Sequence, residues 1–240
     1  MEGASSGSGL VKLDITNAFN TVSPAAVVSS VSQYMPGLKP LIRSAYGARS
    51  YLLYAGRVID FSFGVQQGDP LGPLLFALAI RGVSHGGFPR LSVWYLDDGT
   101  LGGDANAVAA EIKRIKEEAT SVGLALNEVK CEAVSAHPPL IEAVQLILLE
   151  CAAVEPADCV LLVAAIGKRA VSAELAKRER GLRALAGRFA EIDRHDLHAL
   201  LWLSLGHPRA VYELRVGAGF RETSIGRLRR RAAGCARGSA

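Results

Sequence analysis

The sequence predicts an α+β fold, a small sheet with helices packed against it, and three observations carry that prediction. Short runs alternate apolar with polar residues and end in Gly, Pro or Asp, as strands do. Longer segments carry apolar residues at helical spacing. The order is strand, helices, hairpin, helix, hairpin, helix, strand, then mostly helix, which is not the alternation of βαβ units. With 240 residues, half of them hydrophobic, the chain is long enough to bury a sizeable core.

Residues 1–9 (MEGASSGSG) read as a flexible Ser/Gly leader, and Leu10 to Leu13 as the first strand. Ser23-Pro24 supplies an N-cap and a first-turn proline for a helix to about Tyr34, and Pro36-Gly37 stops it. Ser50 to Tyr54 and Val58 to Phe63, split by Ala55-Gly56-Arg57, form a hairpin. Pro70 to about Arg81 is an apolar helix. Leu91 to Tyr95 and Gly99 to Leu101 form a second hairpin, with Leu96-Asp97-Asp98 at its tip. Asp104 caps a helix from Ala105 to about Val122, whose Val108, Ile112, Ile115 and Ala119 fall on one face. Leu124 to Leu126 and Glu132 to Ser135 read as short strands, and helices fill much of 140–151 and 170–217.

Composition excludes several classes. Glu142, Glu150, Glu155 and Asp158 interrupt the most apolar stretch, Leu140 to Ile166, so no membrane span is expected. Glu2 and the Ser/Gly run do not make a signal peptide, so the expected location is intracellular. Cys131, Cys151, Cys159 and Cys235 have neither CxxC pairing nor a histidine at ligand spacing, and read as reduced, structural thiols. Charge is uneven: residues 1–167 carry 11 basic and 16 acidic side chains, whereas residues 168–240 carry 16 basic and 7 acidic. The C-terminal third is the part that seeks a polyanion, or else a solvated helix face followed by an arginine tail (Arg227, Arg229, Arg230, Arg231).

Asp97 and Asp98 place two like charges side by side at a hairpin tip, an arrangement that a cation relieves and that an ordinary Asp-containing turn also explains. Asp14 ends the apolar strand Leu10-Val11-Lys12-Leu13. If that strand lies beside the hairpin, the three carboxylates form the oxygen-rich pocket a hard cation such as Mg²⁺ prefers. Between them lies Gly64-Val65-Gln66-Gln67-Gly68-Asp69-Pro70-Leu71-Gly72-Pro73, whose glycines allow close approach to a ligand and whose Gln67 offers an amide donor and acceptor. A tight turn explains the Gly and Pro residues but not the paired glutamines.

Four segments, KLDITNAFN (12–20), GVQQGDPLGPLLFALAI (64–80), YLDDGTL (95–101) and GLALNEVK (123–130), resemble in order and spacing the palm motifs of reverse transcriptases, nearest those of non-LTR retrotransposons and group II introns. The resemblance implies a ferredoxin-like polymerase palm over residues 10–167, an antiparallel sheet with helices on one face. A basic, helical, thumb-like segment over 168–240 would follow it.

It further implies that Asp14, Asp97 and Asp98 are catalytic carboxylates that hold two Mg²⁺ ions, with Mn²⁺ as a substitute, and that the Ile15 carbonyl also faces a metal. Phe19 matches the gate against a ribose 2′-hydroxyl, Gln67 and Gly68 the contacts to the incoming nucleotide, and Lys130 the lysine that protonates the leaving pyrophosphate. A core phenylalanine and a solvated lysine are the plain alternatives for Phe19 and Lys130. The implied partners are an RNA template, a DNA primer and dNTPs, and the implied compartment in a eukaryote is the nucleus.

Residues 159–167 resemble a primer-grip strand, with Val163 and Ala165 where the family shows glycine and proline. Arg194 to Arg215 resembles the helical region after the palm. No counterpart of the family's fingers precedes Leu10. The expected function is RNA-directed DNA polymerase chemistry. The alternative is an inactive retroelement remnant that folds and binds nucleic acid. Phe19 and QGDPLGP argue against an RNA-dependent RNA polymerase palm.

Overall fold

In the computed structural model, which describes residues 8–203 apart from 49, 67, 88, 163, 190, 191 and 201, the chain forms two units, residues 1–154 and 155–240. The first unit opens with β1 (Ser8–Leu13), two residues earlier than expected, so Ser8 and Gly9 belong to the strand. A short α1 (Ala18–Thr21) follows, then α2 (Pro24–Tyr34), with Ser23 as N-cap and Pro24 in the first turn. Sequence reasoning missed α3 (Lys39–Tyr46), although Pro40 in its first turn is a start signal. β2 (Ser50–Tyr54) and β3 (Arg57–Phe61) form the expected hairpin.

The expected helix over 70–81 starts later and is broken. The Asp69 carboxylate accepts from the Leu71 N–H at 2.8 Å, and its carbonyl accepts from the Gly72 N–H at 2.9 Å, holding residues 69–72 in a turn. The helix proper is α4 (Gly72–Ala79), after which Ile80 leaves helical geometry and α5 (Arg81–Ser84) begins. β4 (Leu91–Tyr95) and β5 (Asp98–Asp104) make the second hairpin, and α6 (Ala105–Ser121) starts where expected, with Asp104 Oδ1 accepting from the Ala107 N–H at 3.0 Å. Residues 124–126 make a single bridge, Ile15 to Leu126, rather than a strand. β6 (Glu132–Val134) is followed by α7 (Pro138–Gln145), which its two prolines start earlier than the expected 140. β7 (Ala152–Val154) was not expected.

The sheet order is β4-β5-β1-β6-β7. The first four strands are antiparallel to their neighbours, with helices between β1 and β4 and α6 between β5 and β6, which is the split βαβ order of a ferredoxin-like palm. β7 pairs parallel to β6 because α7 carries the chain back across the sheet, so the sheet is mixed rather than wholly antiparallel. Val11, Leu13, Leu101 and Ala133 are buried on the sheet face that packs against the helices, together with Val108, Ile112, Ile115 and Ala119 of α6. Lys12, pairing with Thr100 and Glu132 in register, lies on the other face, where its Nζ meets Glu132 Oε2 at 2.7 Å. Fully burying a side chain such as Leu75, Phe76 or Leu101 is worth about 1.5–3 kcal/mol, and this cluster is what fixes the sheet against its helices.

Two internal locks hold the helical side. Arg114 of α6 makes a paired hydrogen bond to Glu111, itself buried, and donates to the carbonyls of Gly82 and Val83 at 2.8 and 2.7 Å, pinning α5 to α6. Cys131 and Cys151 are buried free thiols; burial pushes Cys151 up to about 12, far from thiolate reactivity. Cys159, in the second unit, is a third buried free thiol, and Cys235 lies outside the described residues.

The second unit holds β8 (Val160–Leu161) paired with β9 (Ala164–Ala165), then α8 (Lys168–Phe189) and α9 (Arg194–Leu200). Arg169 binds Asp158 through two nitrogens, tying the start of α8 to the turn before β8. Ion pairs Arg178–Glu174 and Arg183–Glu179 lie along α8. Val163 and residues 204–240, with the arginine tail, lie outside the described residues. No helix among the described residues is long and apolar enough to cross a membrane.

Candidate active site

The site is built where β1 leaves the sheet beside the β4–β5 turn. The β1–β5 ladder ends at Leu13–Gly99, and continuing its count sets Asp14 across from Asp98 and Ile15 across from Asp97. Side chains alternate along a strand, so Asp14 and Asp98 share the solvent face that also carries Lys12 and Thr100. On the far side, the Asp14 carbonyl accepts from the Asn127 N–H at 2.8 Å, and the Thr16 N–H donates to Ala125 at 2.9 Å. These two bonds flank the Ile15–Leu126 bridge, so the backbone N–H and C=O of Ile15 itself face away from residues 125–127, towards the β5 side. The Ile15 side chain is buried in the core.

The turn between Tyr95 and Asp98 has only two residues, Leu96 and Asp97. Leu96 takes φ 54°, a left-handed value that a non-glycine residue holds only when its surroundings fix it, at a cost of about 1–3 kcal/mol. Trp94 pairs with Gly99, and a Cβ on Gly99 would sit 2.9 Å from the Trp94 indole, so the ring lies against glycine backbone next to Asp98.

Electrostatics tie the carboxylates together. Partial desolvation, then the charges of Asp97 and Asp14, hold the Asp98 carboxyl above its ordinary range, while Lys12 and Lys130 pull it back down. Asp98 is an exposed residue, so its desolvation is incomplete, and the neighbouring carboxylates are the part that a bound cation would relieve. Asp14 Oδ2 is buried without a hydrogen-bond partner; Lys130 Nζ approaches it at 3.8 Å, an ion-pair distance beyond hydrogen-bond reach.

A carboxyl whose pKa is raised on folding stabilises the fold fully below its unfolded value, near 3.8, and loses that contribution as pH rises through the raised folded value. Asp98→Asn is therefore expected to raise Tm at pH 7 and to leave it nearly unchanged at pH 3. The rise should stay below the 2–4 °C that about 1 kcal/mol produces in a chain of this size, because solvent screens an exposed carboxylate. A Tm that falls at pH 7 would show that Asp98 is not repelled by its neighbours.

The donor set suits a hard divalent cation: oxygen ligands only, one of them a buried carboxylate oxygen without a partner. Among the described residues, however, no three His, Cys, Asp or Glu side chains are gathered closely enough to hold a metal ion by themselves. The three aspartates are neighbours rather than a closed cluster, and Asp97 stands in the turn while Asp98 stands in the ladder.

Phe19 follows on α1. Its ring stacks on Phe76 of α4, with centroids 4.5 Å apart and planes 20° apart, and it is half-buried against the core. Its carbonyl accepts from the Val65 N–H at 2.8 Å, and the Gly64 N–H donates to Val22 at 2.8 Å, strapping the glycine loop to α1. Gly64 has φ 82°, and a Cβ there would lie 2.5 Å from the Phe19 carbonyl oxygen, so no other residue fits. Gly68 has φ 87° with open space around it, and Gln67 lies outside the described residues.

Sequence reasoning overlooked what shapes this loop. The Tyr46 hydroxyl, at the end of α3, donates to Asp69 Oδ2 at 2.6 Å and accepts from the Gln66 N–H at 3.2 Å. Burial, then the bond to Asp69, pushes the Tyr46 phenol up to about 12. Asp69 two residues before Leu71 was a readable turn signal; Tyr46 carried none. In the sequence Lys12 is only part of a motif; in the structure its charge acts on Asp98.

Two solved structures of telomerase from Candida tropicalis are similar to the chain. The apo enzyme truncated from its C-terminal domain aligns at 14% identity with a TM-score of 0.40, covering 52% of this chain and 30% of the telomerase chain. The complex with a fragment of telomeric RNA aligns at 12% identity with a TM-score of 0.39, covering 52% and 26%. The chain thus spans less than a third of the length of either, and no curated protein matches it. The family described as reverse transcriptase (RNA-dependent DNA polymerase) matches residues 2–170, which includes all four motifs and every strand of the sheet, and the chain belongs to that family.

Proposed function

We propose that the chain carries the polymerase centre of an RNA-directed DNA polymerase, adding dNTPs to a DNA primer 3′-hydroxyl opposite an RNA template. The observation that carries this reading is the meeting of Asp14 with the Asp97-Asp98 turn through one strand register, beside Lys130. Asp14, Asp97, Asp98 and the Ile15 carbonyl would hold Mg²⁺ or Mn²⁺. Two such ions supply charge stabilisation of the attacking and leaving oxygens in a phosphoryl transfer.

The chain's own groups do the rest. The carboxylates would orient and charge the site, and Lys130, whose Nζ lies 3.8 Å from Asp14 Oδ2, would donate a proton to the leaving pyrophosphate. A primer end would be received on the sheet face that carries Lys12 and Thr100. Gln67 and Gly68 would contact the incoming nucleotide. The basic residues of 168–240 would bind the primer–template backbone without reading sequence, and so salt-sensitively. The motif set favours a non-LTR retrotransposon or group II intron type, and for a eukaryotic element we place its work in the nucleus.

Phe19 is stacked on the core and half-exposed, a placement that suits a gate whose base is held rigid. Phe19→Val is expected to raise ribonucleotide incorporation relative to deoxyribonucleotide by about tenfold or more, since a site that excludes a hydroxyl by contact gains that substrate when the contact goes. Unchanged sugar discrimination in single-nucleotide insertion assays would return Phe19 to a packing role.

The deciding experiment is primer extension on an RNA template with dNTPs and Mg²⁺, comparing this chain alone with the chain joined to the fingers of a related element. Extension by either supports the polymerase reading. Silence in both, with the fold intact by circular dichroism, sinks it and leaves an inactive nucleic-acid-binding remnant.

A further inference from the structure

Beside the glycine loop, between the start of α2, the end of α3 and the β2–β3 hairpin, lies a cavity of about 660 Å³. That is within the range of about 300–1,000 Å³ typical of small-molecule pockets. Asp14, Asp97 and Asp98 do not line it, so it is not the aspartate site.

Its chemistry is distinctive in charge. The described lining residues include no carboxylate and one cation, Arg43, whose exposed guanidinium has no acidic partner among the described residues. Four serines, Ser23, Ser29, Ser50 and Ser62, are among the lining residues, and the Ser23 side chain makes no helix-cap hydrogen bond. Gln66 of the glycine loop and Phe63, 65% exposed, are also lining residues, so an amide and an aromatic ring are available to the cavity.

Among the described residues, a carboxylate-free lining with one guanidinium suits a ligand carrying a single phosphate. A metal-bound triphosphate would bring several negative charges, for which the described lining residues offer neither enough cations nor a carboxylate to hold the metal. Hydroxyls and an amide suit a sugar, and an exposed phenylalanine suits a base, because every base offers a face for stacking. From this lining we propose that the cavity is a second nucleotide site, seating one nucleotide unit: a base, its sugar and one phosphate. The unit is either a free mononucleotide or one unpaired residue of a strand. The site reads no sequence, since stacking and a single charge do not distinguish bases.

The test uses the full chain with two probes, dAMP by calorimetry and a labelled eight-residue oligo-dT by fluorescence anisotropy, on wild type, Phe63→Ala, Arg43→Gln and Asp97→Asn. Phe63 and Arg43 are exposed, so their variants should keep the fold, which circular dichroism checks. Phe63→Ala is expected to weaken binding about tenfold, the effect of losing one base–aromatic stack. Arg43→Gln should weaken it and lower the salt dependence of log K by about one phosphate contact. Asp97→Asn should change neither affinity.

Weakening of both probes would mean that free nucleotide and strand share the pocket. Weakening of oligo-dT alone assigns the site to a strand, and of dAMP alone to a free nucleotide. Affinities for both probes that ignore Phe63→Ala and Arg43→Gln overturn the proposal, as does binding lost in Asp97→Asn, which would place the nucleotide at the aspartates.

Discussion

Asp97→Asn is expected to cut primer extension by at least about 10²–10³-fold, the loss typical of removing one preorganised group aimed at developing charge. The substitution keeps volume and removes a neighbouring charge that holds the Asp98 carboxyl above its ordinary range, relieving repulsion on Asp98. Stability should therefore hold or rise while activity disappears, and the two readouts must move apart. Extension at more than a tenth of the wild-type rate would mean that catalysis is not centred on this turn. A parallel loss of Tm and activity would mean that Asp97 supports the fold rather than the reaction.

Gly64→Ala should damage the first unit strongly, because it meets fixed backbone at a positive φ. The new Cβ would lie 2.5 Å from the Phe19 carbonyl oxygen and 2.7 Å from Asn20 Cα, both backbone atoms that cannot swing aside. Strain at φ 82° and overpacking together should cost about 2–5 kcal/mol. Denaturant unfolding reads the loss directly. Because the Val65 N–H binds the Phe19 carbonyl, the loop and Phe19 should shift together, so if Phe19 is the proposed gate, sugar discrimination should weaken even at temperatures where the variant remains folded. A cost under about 1 kcal/mol, ordinary for a surface substitution, would show that the strap yields easily.

How much of this was legible depended on whether the governing contacts were local. α6 was readable because Asp104 and the spacing of Val108, Ile112, Ile115 and Ala119 act within one helix. β7 was not, because the three residues Ala152–Val154 carry no alternation, and what makes them a strand is the parallel partner that α7 brings alongside. The helix expected from Pro70 began later because Asp69 spends its carboxylate on the Leu71 N–H and on Tyr46, 23 residues away in sequence.

The aspartates could be named from their motifs. That Asp14 faces Asp98 rather than Asp97 follows from a ladder register that no single segment encodes. Lys12 shows the same limit. Its spacing from Asp14 was visible, but its pairing with Glu132 on the neighbouring strand and its pull on Asp98 required the sheet.

The two-residue turn at Leu96-Asp97 makes the site sensitive to length more than to composition. Many side chains could occupy its first position at a modest cost in strain. A single inserted residue, however, would carry β5 one step along its partners and turn every one of its side chains to the opposite face. Asp98 would then point among the helices and Leu101 into solvent. The hairpin thus works as a ruler: by fixing how far the chain travels before it reverses, it decides which side of the sheet receives the negative charge.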